Sequence, residues 1–331
     1  MIFHRPINIR LSFLLAVLIA LWTASFPNVS PAADYPTKPI QLIVPFGPGG
    51  GSDTMARLVV DKMTEVLGQP VLIVNKPGGG GTLGTYAALA ASPDGYTVIV
   101  ISPTMASAPL ITKNVTYNIL RDFSTVNLSV STPIVHLVRK EAPWQTLEEL
   151  IADAKKNPGK LTFSSPGYGG TQHLIGELYK MNTGTDFTHV PMDGLGPAVT
   201  AVLGGHISMC YADYGSVFNQ LRAGVLRMLV VNDPKRLKDF PDVPTIVEKG
   251  YPNVVFSSWQ GFSVRSGTPK DIIAKLDKAI REAFKDKDVI DKYLKTGWIV
   301  ENLSTEQASD FLAKDYQKRT DVAKAAKITP R

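Results

Sequence analysis

The sequence predicts an α/β chain folded as two lobes, each a parallel or mixed sheet flanked by helices. Strand-like and helix-like segments alternate almost throughout, a pattern that places helices on both faces of a sheet. Apolar runs repeatedly end in glycines with Ser, Thr or Asp and are followed by an amphipathic helix, at 42–52, 71–82 and 163–171. After loss of an N-terminal leader of 33 residues, about 298 of the 331 remain, a length that favours two cores over one.

The chain opens on that leader. His4, Arg5 and Arg10 make a basic start, residues 11–22 are apolar except for Ser12, and Ser30, Ala32 and Ala33 offer small residues for cleavage. Twelve residues are too few to span a bilayer and suit the core of a secretory signal. A membrane anchor is the alternative. No cysteine follows the apolar run, which excludes lipid attachment there. Residues 1–33 are therefore assigned as a signal peptide cleaved near Ala32–Asp34, and the protein is expected to be exported.

Next come a strand at 39–44 and a helix at 53–67, with Met55, Leu58, Val59, Met63 and Val66 on one face and Gly68 as its stop. A strand at 71–74, a helix at 82–91 and a strand at 96–101 complete the first alternation. A second one starts with a strand at 134–138. Thr146 and Glu149 form a capping box before the following helix. Segments 161–164, 187–190, 207–211 and 226–231 read as buried strands with helices between them. Segment 254–264 is strand-like, and helices follow at 270–284, at 287–296 and from Ser304, where Gln307 completes a second capping box. The chain thus leaves one lobe, builds another and returns. The crossings near 129–133 and 253–257 give lobe 1 as 34–130 with 256–331, and lobe 2 as 131–255.

A glycine turn between a strand and a helix presents free backbone N–H groups, and the helix dipole is positive there, so such a site suits an anion. Enzymatic signatures are missing: no HExxH, no Walker A sequence, no GxSxG elbow. The five histidines lack metal-ligand spacing, so no metal or cofactor is expected. Residues 79–84 fit GxGxxG, but the next strand ends at Ile101-Ser102-Pro103 without the acid that a dinucleotide ribose requires. The formal charge of +6 falls to +4 once Arg5 and Arg10 leave, and the remaining basic residues form no stripe, which argues against nucleic acid. Cys210 stands alone in an apolar run and reads as core.

The motifs, taken in order, resemble the tripartite tricarboxylate transporter receptors, or Bug family. The resemblance rests on YPTKPIQLIVPF at 35–46, PGG at 48–50, Asp53 with Ala56-Arg57, LGQP at 67–70, NKPGGGG at 75–81 and PDGY at 93–96. It continues through SPGYGGT at 165–171 with His173, HVP at 189–191, PDVPT at 241–245 and WQG at 259–261. It implies a two-lobed, flytrap-like solute-binding protein of the periplasm, not an enzyme. Such a protein delivers a small organic carboxylate to a membrane permease of two other proteins and is expected to be a monomer. A sensor subunit that presents the ligand to a signalling protein is the alternative.

The resemblance carries ligand contact to Phe46, Gly49, Gly50, Ser52, Asp53, Ser102 and Thr104 in lobe 1. In lobe 2 it points to Ser165, Gly169, Gly170, Thr171 and His173. Local readings compete: Thr171 as a helix cap, His173 as an orienting group, Phe46 and Trp259 as hinge packing. Two departures fall where specificity would be set. The family's Tyr-Lys-Gly after HVP is Met192-Asp193-Gly194 here, and its Asp-Asn after the strand at 207–211 is Ala212-Asp213. Asp193 and Asp213 are therefore added as ligand-facing candidates, with helix capping as the competing role for Asp213.

Overall fold

The structure, a computed structural model, describes residues 35–49, 51–295 and 297–331. The expected signal peptide and Gly50 lie outside the described residues. The chain begins with β1 (Ile40–Val44), α1 (Gly51–Leu67), β2 (Val71–Asn75), α2 (Thr82–Leu89) and β3 (Thr97–Ile101). β1 pairs in parallel with β2 and with β3. β1 and β3 are almost wholly buried, while the edge strand β2 is only partly covered, with Leu72 exposed.

α3 (Pro103–Ile111) and the single turn α4 (Ile119–Asp122), neither anticipated, lead into β4 (Phe123–Arg139). β4 is the organising element. Residues Phe123 to Pro133 pair antiparallel with β9 (Ser257–Arg265), and Leu128 to Ser131 also pair with β10 (Ile299–Leu303). From Ile134 onward the same strand pairs with β7 (Met209–Asp213) and β8 (Leu226–Val231). Pro133 sits at the change of partners, where its missing N–H costs the ladder least.

The first half of β4 alternates Val126, Leu128 and Val130 with Asn127, Ser129 and Ser131. All six are buried, so the polar ones must be paired within the protein. Asn127 donates to the Leu303 carbonyl, Ser129 to Asn127, and Ser131 to Glu301. This side-chain ladder holds β10, an element that its own sequence does not announce.

The second half adds α5 (Leu147–Lys156), β5 (Thr162–Ser165), α6 (Thr171–Thr183), β6 (Thr188–Pro191), α7 (Leu195–Leu203) and α8 (Tyr214–Arg222). β5 pairs in parallel with β6 and β7. Strand alternation separates two cores here: Ile134, Val138, Met209 and Tyr211 face one, and Val135, Leu137, Cys210 and Ala212 face the other. Cys210 is buried and free, as expected.

α9 (Lys270–Ala283), α10 (Lys287–Leu294) and α11 (Thr305–Ala325) close the chain. Both expected capping boxes are present, on α5 and on α11. α11 packs Ala308 and Leu312 into the core beside β1 and β3, and Val322 and Ala323 into the core beside β5 and β7. The expected strand at 254–264 is β9, which starts three residues later, after a 3-10 turn at Pro252–Val254. No helix among the described residues is long and apolar enough to cross a membrane.

Candidate functional site

Five parallel strands end where a helix starts. β1 leads to α1, β3 to α3, β5 to α6, β6 to α7 and β7 to α8. Ligands of open α/β sheets bind outside the carboxyl ends of such strands. A cavity of about 730 Å³ occupies that position. Its lining includes the leading residues of all five helices: Gly51 and Ser52, Pro103 and Thr104, Thr171 and Gln172, Leu195, and Ser216 in the first turn of α8. The residues just before four of them, Ser102, Gly170, Gly194 and Asp213, line it too. Phe46, Ile111, the 166–168 loop, Ser258, Gln260 and Trp298 complete the wall. Each helix N-terminus carries unpaired N–H groups and a partial positive charge. Among the described residues that line the cavity, Asp213 is the one with a charged side chain.

Of the residues expected to touch ligand, Phe46, Ser52, Ser102, Thr104, Gly170, Thr171 and Asp213 line this cavity. Gly49 lines an adjoining recess of about 240 Å³, which shares Gly51, Ser216, Gln260 and Trp298 with the main one. The Oγ of Ser102 is buried without a hydrogen-bond partner, although Ser102 is the N-cap residue of α3. Thr171 is the first residue of α6 rather than its cap. Its Oγ1 accepts from Nη1 of Arg319 at 2.9 Å.

The others stand behind the wall. Asp53 accepts from the Gly49 amide, Arg57 Nε and Asn75 Nδ2, at 2.8–2.9 Å. The Arg57 guanidinium holds its carboxyl down to about 2. Asn75 also donates to the Phe46 carbonyl. Asp53 therefore ties down the 46–53 loop and presents no oxygen to the cavity. Ser165 Oγ contacts His189 Nε2 at 2.7 Å and donates to the Gly167 carbonyl. His173 is buried, accepts from the Gly169 amide through Nδ1 and stacks on His189 at 3.7 Å. Burial lowers the His189 pKa to about 3, so that ring is neutral. Gly169 has φ +70°, and a Cβ there would overlap Ile111. These four residues shape the 165–171 loop from beneath. Asp193 is exposed and outside the lining.

The loop at 71–82, with the same glycine-rich design, does not line the cavity. Its glycines 78–81 all take positive φ and serve the turn. A Cβ on Gly84 would lie 2.7 Å from the Pro45 Cα, so α2 lies directly against the 45–46 turn. Sequence reasoning missed Gln172, Gly194, Leu195, Ser216, Ser258, Gln260 and Trp298. Two signals were available. Gly194 follows the same strand–glycine–helix design as the loops already singled out. Strand alternation places Ser258 and Gln260 on the face opposite Trp259. Trp259 itself is buried and donates Nε1–H to Asp315, the packing role expected of it.

Asp213 is the electrostatic exception. It precedes α8 without capping it. Its Oδ1 accepts from Gln172 Nε2 at 3.3 Å, and the Ser258 hydroxyl is its other hydrogen-bonding neighbour. Desolvation raises its pKa to about 6.

A separate groove of about 650 Å³ between α9, α11 and the start of β4 is lined by Lys270 and Asp277 among apolar flanks. It holds none of the residues expected to bind ligand.

Residues 55–328 match the family described as tripartite tricarboxylate transporter family receptor. Protein BugT of Bordetella pertussis is 35% identical over 317 residues, covering 94% of this chain and 96% of that protein. MatC from Rhodopseudomonas palustris, solved with bound malate, superposes with a TM-score of 0.74 at 30% identity, over 87% of this chain and all of MatC. A second R. palustris protein, solved with adipate, superposes with a TM-score of 0.78 at 28% identity, over 90% of this chain and all of that one. The fold is thus that of the periplasmic solute-binding proteins, and the family matched is one of receptors rather than enzymes. The chain belongs to the tripartite tricarboxylate transporter receptor family.

Proposed function

We propose that this protein is a periplasmic receptor that captures a small organic carboxylate in the 730 Å³ cavity and delivers it to a two-component membrane permease. One observation carries the reading: five helix N-termini open onto one cavity whose described lining holds no cationic side chain. A helix N-terminus favours an anion by roughly 0.3–1 kcal/mol, up to about 2 when partly buried. Hydrogen bonds to a charged group contribute about 1.5–3 kcal/mol each. Several together reach about −8 kcal/mol, a micromolar complex, after the cost of immobilisation. The malate bound to MatC and the adipate of the second R. palustris protein support a carboxylate.

In this reading residues 1–33 direct export. Segments 34–130 and 256–331 form one lobe and 131–255 the other, and closure of the two over the ligand creates the surface offered to the permease. Calorimetric titration with a series of carboxylates and their amides tests it. Binding of acids with loss on amidation is expected. A protein that binds neutral sugars or the amides equally well overturns the reading.

A further inference from the structure

The cavity that favours anions also contains an acid. Asp213 lines it from the end of β7, and its carboxylate caps no helix. An ionised carboxylate offers about four acceptor sites. Here the donors are neutral: Gln172 at 3.3 Å and the Ser258 hydroxyl. No Lys or Arg among the described residues lines the cavity. Arg319 reaches Thr171 from behind the wall, but its charge is matched by Asp315 at 2.6 Å. The Asp213 carboxylate thus has no cationic side chain beside it in the lining, and burial pushes its pKa up to about 6.

Resting on the carboxylate reading above, we propose that the cavity selects an amino acid, with the ligand carboxylate on the helix N-termini and the ligand ammonium on Asp213. The choice among ligand classes follows from charge. A plain diacid would bring a second carboxylate toward Asp213, and like charges in a desolvated site are costly. A hydroxy acid supplies a donor but leaves Asp213 without a counter-charge. A zwitterion meets the positive helix ends with its carboxylate and Asp213 with its ammonium, so no charge in the closed cavity is left alone. The opposed features also fix the ligand's direction.

Ligand sets with a shared carbon skeleton decide it. The skeletons are propionate, lactate and alanine; succinate, malate and aspartate; glutarate, 2-hydroxyglutarate and glutamate; phenylpropionate, phenyllactate and phenylalanine. Each is titrated into the ligand-free protein by calorimetry near pH 7.5. In the skeleton that binds best, the amino member should bind at least roughly tenfold tighter than the other two, as a charge-assisted hydrogen bond implies. Asp213→Asn should lose at least about tenfold for that amino acid and gain for the unsubstituted acid. Asp213→Glu should keep the amino preference. A hydroxy or unsubstituted acid that binds the wild type as tightly as its amino counterpart overturns the proposal and leaves the carboxylate reading standing. So does an Asp213→Asn protein with unchanged amino-acid affinity. If Asp213→Asn does not fold, the wild-type ranking decides. Binding of no acid in the series, amino acids included, sinks the carboxylate reading itself.

Discussion

Asp53 and Asp213 both stand at the start of a helix, and their surroundings drive them in opposite directions. Asp53 has three donors, the Arg57 guanidinium among them, which hold its pKa down to about 2. Asp213 has two neutral donors and a desolvated setting, and its pKa rises to about 6. An acid whose folded pKa lies above its ordinary value of 3.8 binds its proton more tightly in the folded state. Its contribution to stability is full below the ordinary pKa, declines as pH rises through about 6, and is a constant penalty above that. Asp213→Asn should therefore stabilise the ligand-free protein near pH 7.5 by about 1–3 kcal/mol. The gain should shrink toward pH 5 and vanish below about pH 4. Urea unfolding of both proteins across this range measures it. A gain that does not change with pH would remove ionisation as the cause. Such a cost in the free fold is what the proposed binding role of Asp213 would entail.

Between elements, the strongest single tie is Arg319 on α11. Its side chain is fully buried and pairs with Asp315. It donates to Thr171 on α6 and to Ser107 on α3, and stacks over Phe256 at 4.8 Å. Both α3 and α6 begin at the cavity. Removing one member of a buried pair leaves the other charge uncompensated, at a cost of about 3–5 kcal/mol. Arg319→Met should lose that much in denaturant unfolding and weaken ligand binding through Thr171. The double variant Arg319→Met with Asp315→Asn should recover part of the stability. If it recovers none, the loss comes from packing on Phe256 rather than from charge.

No local signal announces Arg319, because a lone arginine in an amphipathic helix reads as solvated surface. The same physics decides which elements were legible. β8 at Leu226–Val231 was read with its observed bounds, and the capping boxes at Thr146 and Ser304 were recognised, because apolar runs and caps are local. The first half of β4 and the whole of β10 were not, since Asn127, Ser129 and Ser131 suit a buried strand only through partners on β10 and within β4. The cavity was legible at two glycine-rich strand ends, 46–52 and 165–171, whereas the third, at 71–82, lies away from it. It was not legible at Ser258, Gln260 and Trp298, which tertiary pairing brings there. Asp53 and His173 carry polar side chains beside the glycine loops and so read as ligand groups. Their hydrogen bonds face the loop's own backbone.

For the molecule as a whole, the question is whether the two halves of the sheet behave as separate folding units. Two elements argue that they do not. β4 runs unbroken from one set of partners to the other through Pro133. α11 inserts Ala308 and Leu312 into one core and Val322 and Ala323 into another. Neither half can unfold without breaking β4 pairing and exposing part of α11, at roughly 25 cal/mol per Å² of apolar surface. A ligand in the cavity, which residues of both halves line, would add to this coupling. Calorimetry of the mature protein should show a single transition. A carboxylate at a hundred times its Kd adds about 2.7 kcal/mol to the folded state and should raise Tm by roughly 5 °C or more, still in one transition. Two transitions, with the ligand moving only one of them, would mean that the halves fold independently. The cavity would then belong mainly to the half whose transition moves.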